Sequence, residues 1–144
     1  MKFLNAFLAN HAEVHDGLLF VNGGCPEKWM VKDLDEEIKI YFVGQVQYEE
    51  SEIGTHQGYA IEVHGPKKDQ RLFGIAERVE SEFGPDDKPN FKKLWVLPIE
   101  FLASGSGLHE IVVTQRIADS EKELVRAGIW IDWVYENWGT TNQA

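Results

Sequence analysis

The chain has one cysteine, Cys25, among its 144 residues, and no apolar run approaches the ~20 residues of a membrane-spanning helix. A single cysteine cannot form an internal disulfide, which suits a reducing compartment, so we expect a cytoplasmic protein. Asn5 interrupts the apolar start of the chain, and His11 and Glu13 follow, so this segment is too polar for the core of a signal peptide. The length predicts one domain, residues 1–144, whose core needs neither metal nor disulfide.

Basic side chains are also scarce. There are 14 of them against 24 acidic ones, and the formal net charge is −10. The densest basic pairs, Lys67-Lys68 and Lys92-Lys93, adjoin acidic residues and are typical of solvated turns. Because such a field repels phosphate polyanions, we expect no nucleic-acid partner, and no membrane partner is indicated either.

Two stretches of the chain are alike, and each is typical of a β-hairpin. In both, β-branched or aromatic residues recur at every second position, and a polar turn separates two such runs. The first stretch joins residues 58–63 to 72–75, and the second joins 108–113 to 127–131. This repetition predicts an antiparallel β protein.

Further strand patterns occupy most of the remaining chain. The clearest alternation predicts a long half-buried strand whose inward positions are Ile38, Ile40, Phe42, Val46 and Tyr48. Gly44 within it predicts a bulge or a bend. Other strands are expected at residues 2–9, 18–21, 29–31 and 94–101, with a polar corner at 10–16 and loops at 22–24 and 84–89.

Two residues refine this scheme. Pro98 cannot donate to a ladder, so its strand is expected to be at an edge, bulged or switching between sheets. Ser120 with Glu123 forms a capping-box pattern that allows a short helix at 120–127, but the run at 129–131 favours a strand. About seven to nine short strands predict an all-β fold, a single-domain antiparallel β-sandwich with an immunoglobulin-like or jelly-roll-like arrangement, and a closed barrel is the alternative.

No group of residues dictates a chemistry. His11 and His15 have a metal-ligand spacing only in a helix, and the acidic clusters lack the spacing of an EF-hand loop. Cys25 has no signature of a nucleophile, and no phosphate-binding loop, nucleophile elbow or dinucleotide fingerprint is present. We therefore expect no catalytic residues, no metal ligands and no cofactor. A hydrolase that uses an acidic pair depends on a spatial separation that the sequence does not give.

Aromatic residues near the end of the chain are the strongest binding candidates. Trp130 and Trp133 are three residues apart, so they face opposite sides of a strand and make it apolar on both faces. One interpretation is that a loop or the segment at Trp138 covers the outer face. The other is an exposed aromatic patch for self-association or a partner, formed by Trp130, Trp133, Tyr135 and Trp138.

The chain resembles a group of small uncharacterised bacterial single-domain proteins. The resemblance rests on Ala6-Phe7-Leu8, Gly17-Leu18-Leu19-Phe20-Val21, Gly23-Gly24, Leu97-Pro98-Ile99 and residues 107–113. It implies a β-sandwich domain and implies no activity or catalytic residue. The chain departs from the group's pattern at His109, where an aromatic residue is expected.

These observations predict a non-enzymatic β-sandwich module that acts by protein–protein interaction or self-assembly. The alternative is a carbohydrate-binding module, calcium-assisted in one version, in which exposed Trp rings stack on sugars.

Overall fold

A computed structural model describes residues 1–80, 82–83 and 89–134 of the chain. This part is built of β-strands, with a short 3₁₀ turn at Glu50–Glu52. The strands in chain order are β1 (Lys2–His15), β2 (Leu18–Gly24), β3 (Lys28–Val31), β4 (Glu37–Gln47), β5 (His56–His64), β6 (Asp69–Arg78), β7 (Glu82–Phe83), β8 (Pro89–Asn90), β9 (Lys92–Leu102), β10 (Gly107–Ile117) and β11 (Ser120–Trp133). Among the described residues, no helix is long and apolar enough to cross a membrane.

Nine of the strands form two packed sheets. Sheet A has the order β2-β1-β4-β9, and sheet B has the order β3-β11-β10-β5-β6, while β7 and β8 pair with each other. The structure therefore confirms the all-β sandwich. The choice between an immunoglobulin-like and a jelly-roll-like arrangement stays a prediction.

The core lies between the two sheets. Alternate residues of the long strands point into it, and the largest fully buried side chains include Phe42, Ile61, Ile99, Ile111 and Ile131. A buried aliphatic or aromatic side chain of this size stabilises the fold by about 1.5–3 kcal/mol relative to exposure. The two sheets are held together by this apolar layer.

The two similar hairpins are confirmed, and they lie side by side. β5 pairs with β6, β10 pairs with β11, and β10 also pairs with β5, so four consecutive strands of sheet B come from the repeated pattern. The segment 120–127 is a strand, as the run at 129–131 favours. A two-residue turn at 118–119, with Ala118 at φ 53°, joins β10 to β11.

The polar corner predicted at 10–16 is wrong, because β1 continues to His15 and pairs with β2. Asp16 and Gly17 both have positive φ, at 51° and 74°, and so form the tight turn of a hairpin. The loop predicted at 22–24 is also the end of β2. Most of the loop predicted at 84–89 lies outside the described residues.

One strand pairing departs from the antiparallel expectation. The chain crosses from sheet A to sheet B between β2 and β3, and β3 then runs parallel to β11. Cys25 donates its amide to Leu8 O at 2.7 Å, and Trp130 donates its amide to Glu27 O at 3.3 Å. These two bonds connect the crossover to both sheets.

The long strand predicted around residues 38–48 is confirmed as β4, and Pro98 lies in the edge strand β9. Gly44 is not itself a bulge, because the register shift lies between Phe3 and Asn5 on the neighbouring strand. A Cβ at Gly44 would lie 2.7 Å from Phe3 Cε1. The ring of Phe3 packs edge-on against Phe42 at 5.8 Å and Trp95 at 5.4 Å.

We expect Gly44→Ala to destabilise the protein by about 1–3 kcal/mol, because the new methyl group forces the packed Phe3 ring to move. The free energy of unfolding from a urea titration checks this. Gly58→Ala is the matched control, since a Cβ there meets nothing within 4 Å. Equal stabilities for the two variants would contradict the packing of Phe3 on Gly44.

Candidate functional site

The outer face of sheet B carries an exposed apolar surface at one end. Leu108 and Trp130 are direct cross-strand partners, and Met30 lies diagonally beside Trp130 on β3. Their exposed fractions are 49% for Leu108, 50% for Trp130 and 59% for Met30. We call these three residues the Trp130 patch.

The alternation of β11 forces Trp130 outward. Ile129 and Ile131 are 1% and 0% exposed, so the residue between them points to the opposite face of the sheet. Gly128 precedes this segment, and the Leu108 side chain lies against it. A Cβ on Gly128 would lie 3.1 Å from Leu108 Cδ1, so the glycine lets the two strands carry these side chains close together.

A shallow groove of about 420 Å³ adjoins the patch. It runs from Trp130 and Leu108 to Phe7 on β1 and to the crossover residues Cys25 and Pro26. Cys25 is exposed and has φ 53°. The groove therefore extends the apolar surface from sheet B to β1 of sheet A.

Ion pairs flank the patch on two sides. Lys28 Nζ lies 2.8 Å from Asp132 Oδ2, and Arg126 Nη1 lies 2.9 Å from Glu110 Oε1. Arg126 also pairs with Glu123, and these contacts lower the pKa of the Glu123 carboxyl and raise the pKa of the guanidinium. Both charge signs thus surround the apolar residues. Exposed pairs of this kind contribute at most about 1 kcal/mol to stability, so their main effect is on the surface field.

The predicted binding residues do not form one surface. Trp130 is exposed on the outer face, whereas Trp133 is on the inner face and packs against the core. The indole of Trp133 donates to Lys32 O at 3.3 Å, and its amide donates to Ser106 Oγ at 2.8 Å. Tyr135 and Trp138 lie outside the described residues. The patch therefore replaces Trp133 with Met30 and Leu108.

Sequence reasoning missed these two neighbours for different reasons. Leu108 alternates with the buried positions 109, 111 and 113, which is the signal that could have placed it outward. Met30 lies in a strand of four residues, which is too short for the alternation of apolar and polar residues to show which face Met30 is on. Its place beside Trp130 depends on the parallel pairing of β3 with β11.

A second set of exposed apolar residues lies on the β1–β2 hairpin. Leu18 and Phe20 are on the face that also carries His15, and Val14 and Val21 are on the other. Because this ribbon divides its apolar residues between two faces, it presents no single patch. The Trp130 patch gathers its residues on one face.

The histidines have structural roles or are exposed. Among the residues that the structure describes, no three histidine, cysteine, aspartate or glutamate side chains cluster as a metal site. His109 is buried and holds the turn before β10: its Nδ1 lies 3.0 Å from Gly107 O, and Ser104 donates its amide to Nε2 at 3.1 Å. This arrangement fits the neutral tautomer with the proton on Nδ1.

Carboxylates share a polar cleft of about 770 Å³ at the end of the sandwich remote from the patch. Glu49, Glu50 and Glu52 line it, and the first and last are joined in a capping box around the 3₁₀ turn. Nearby, Tyr48 donates to Glu77 Oε1 at 2.6 Å, and burial raises the pKa of the Tyr48 hydroxyl. The capping contacts give Glu49 and Glu52 a structural role.

Comparison with known protein families, curated proteins and solved structures finds no match. The resemblance to small bacterial proteins therefore stays a prediction.

We expect stability to fall as the pH drops below about 6.5, the ordinary pKa of histidine, because burial lowers the pKa of His109 in the folded state. The unfolded chain then binds a proton that the folded protein excludes, so protonation favours unfolding. Urea midpoints measured between about pH 7.5 and about pH 5 check this. His109→Asn, which does not titrate, should show a smaller loss over this range, and an equal loss in both proteins would contradict the role of His109.

Proposed function

We propose that the protein is a non-enzymatic interaction module that associates with a second copy of itself through the Trp130 patch. The observation that carries this is the cross-strand pair of Leu108 and Trp130, both about half exposed on the same face beside Met30. Tryptophan is enriched among residues that dominate interfaces, since it buries a large area at low entropic cost. Met30 adds an adaptable side chain.

The charges around the patch favour a second copy as the occupant. A twofold interface brings the same surface together from both partners, so it must be complementary to itself. The patch has Lys28 with Asp132 on one side and Arg126 with Glu110 on another, so each copy offers both signs to the other. An exclusively acidic rim would repel its own copy.

The net charge opposes this association at long range. At −10 for each chain, two copies repel until they come into contact. Salt screens that repulsion over a Debye length of about 8 Å at physiological ionic strength. Association of two copies should therefore strengthen with salt, whereas binding of a basic protein would weaken.

The carbohydrate-binding alternative has less support. That alternative needs exposed tryptophan rings, and Trp133 packs against the core, so Trp130 is the one aromatic ring of the patch. No group of three acidic or other metal-ligating side chains is assembled in the described part of the chain, so a calcium-assisted site has no ligand set there.

We expect Trp130→Ser to weaken self-association by about 30-fold or more, which corresponds to the loss of about 2 kcal/mol at a central interface tryptophan. Light scattering across a protein dilution series, at low and at raised salt, measures the solution mass. Ile117→Ser is the control, because Ile117 is also 50% exposed but lies at the other end of β10.

A monomer at every concentration and salt would contradict self-association through this surface. Equal loss of association in both variants would show that the effect is not specific to the Trp130 patch.

A further inference from the structure

The outer face of sheet B carries a second unusual surface, formed of small side chains on β5 and β6. Gly58 lies opposite Ala76, and Ala60 lies opposite Gly74. Glycine weakens a strand and often marks a place where a ligand or another backbone approaches closely. A Cβ on Gly58 would meet nothing within 4 Å, and one on Gly74 would meet only Tyr59 O at 3.6 Å. The space above this surface is therefore open.

Thr114 on β10 completes the floor, directly beside Ala60. The residue is 8% exposed, and its Oγ1 has no hydrogen-bond partner among the described residues. A buried hydroxyl without a partner costs free energy and calls for an explanation. Thr114 lines a groove of about 330 Å³ above the small residues, so the residue lies beside any molecule seated there.

An ion pair crosses this groove. Arg71 Nη2 lies 2.7 Å from Glu121 Oε1, although Arg71 is on β6 and Glu121 is on β11. β5 and β10 lie between those two strands, so the two side chains must meet over them. The small residues below leave the room for this contact. Arg71 is also held by Glu62, with Nη2 3.1 Å from Oε1.

Because Glu121 pairs with Arg71, the neighbouring Arg116 can contact a ligand. Arg116 is opposite Glu121 in the β10–β11 register, but the Glu121 carboxylate is engaged with Arg71. Arg116 is exposed and has no ion pair among the described residues. Two guanidinium groups and the Glu121 carboxylate line the groove. Because Arg71 is paired with both Glu62 and Glu121, Arg116 is the one cation of this groove without an ion pair among the described residues.

We propose that this groove binds a small carboxylate with a flat apolar body. A sheet surface without bulky side chains is a flat floor of peptide groups and methyl groups, which suits a planar ring. The ligand's carboxylate pairs with Arg116 and takes the place of Glu121 at Arg71, since guanidinium groups bind carboxylates with two parallel hydrogen bonds. The Thr114 hydroxyl is shielded from solvent in the structure, and it supplies a further hydrogen bond by rotating towards the ligand. The volume lies near the lower end of known ligand pockets, so the ligand is small.

This site is separate from the Trp130 patch. Leu108 and Thr114 are six residues apart on β10, which corresponds to about 20 Å. The ion pairs of Glu110 and Glu62 lie between them on the same face. If the groove binds no carboxylate, the proposal that the Trp130 patch mediates self-association is unaffected.

The test is a titration of ¹⁵N-labelled protein with sodium benzoate, with benzyl alcohol and acetate as probes that lack the charge or the ring. We expect saturable shifts of the amides of Gly58, Gly74 and Thr114, with a dissociation constant on the order of 1 mM for so small a ligand. The two control probes should bind at least about tenfold more weakly. No saturable shift below about 20 mM, or shifts spread over the whole surface, would overturn the proposal.

Three variants separate the groove from general surface binding. Gly74→Val should abolish binding by filling the floor, and it is compatible with the strand because the nearest atom to the new Cβ is at 3.6 Å. Arg116→Gln should weaken binding about tenfold, the effect of losing one charged contact. Glu121→Gln should tighten binding several-fold, because the ligand no longer competes with that carboxylate. Arg126→Gln is the control, and its affinity should equal that of the wild type.

The amide spectrum of each variant, recorded before the titration, shows whether the variant is folded. Unchanged affinity in Gly74→Val, or weaker binding in Glu121→Gln, would show that benzoate does not occupy this groove.

Discussion

The two-residue period of the β10–β11 hairpin is the constraint on which the candidate surface depends. Ile129 and Ile131 are in the core because the inner face of sheet B must be apolar, and this requirement turns Trp130 to the other side. A slip of one residue would exchange the two faces and bury a tryptophan where isoleucine now packs. The exposed indole is thus fixed by the same packing that stabilises the sandwich.

The outer face of sheet B is divided into regions of different chemistry. The Trp130 patch occupies one end, the ion pairs of Arg126 lie in the middle, and the small-residue groove, which the Arg71–Glu121 ion pair crosses, occupies the other end. Exposed ion pairs add little to stability, but they decide which surfaces can approach. The long reach of Arg71 to Glu121 is possible because the residues beneath it are glycine and alanine. The arrangement of charge on this face therefore depends on where the sequence places small residues.

Much of the fold could be predicted from alternation alone. The two hairpins and the long strand β4 follow from local patterns, and the edge position of Pro98 is one of the three placements that its missing amide predicted. The Asp16-Gly17 turn also has a sequence signal, since Asp-Gly between alternating residues is typical of a hairpin. The polar side chains around it favoured a corner instead. The corner prediction was wrong because both faces of the β1–β2 hairpin are partly exposed, so polar residues occur within its strands.

The site was less predictable than the fold, because it depends on contacts between distant parts of the chain. The sequence correctly placed Trp130 and Trp133 on opposite faces, but Met30 joins the patch only through the parallel pairing of β3 with β11. The contact of Arg71 with Glu121 spans 50 residues of sequence and two intervening strands. No periodicity within one strand carries such information. The buried role of His109 likewise depends on the turn that folds Ser104 onto its ring.

The measurement that tests the central claim most directly is a dilution series of amide spectra on ¹⁵N-labelled protein. If the outer face of sheet B is the contact between copies, concentration-dependent shifts will be confined to Met30, Leu108 and residues 128–130. Shifts confined to the β1–β2 hairpin around Leu18 and Phe20, or spectra that do not change with concentration, would contradict the account.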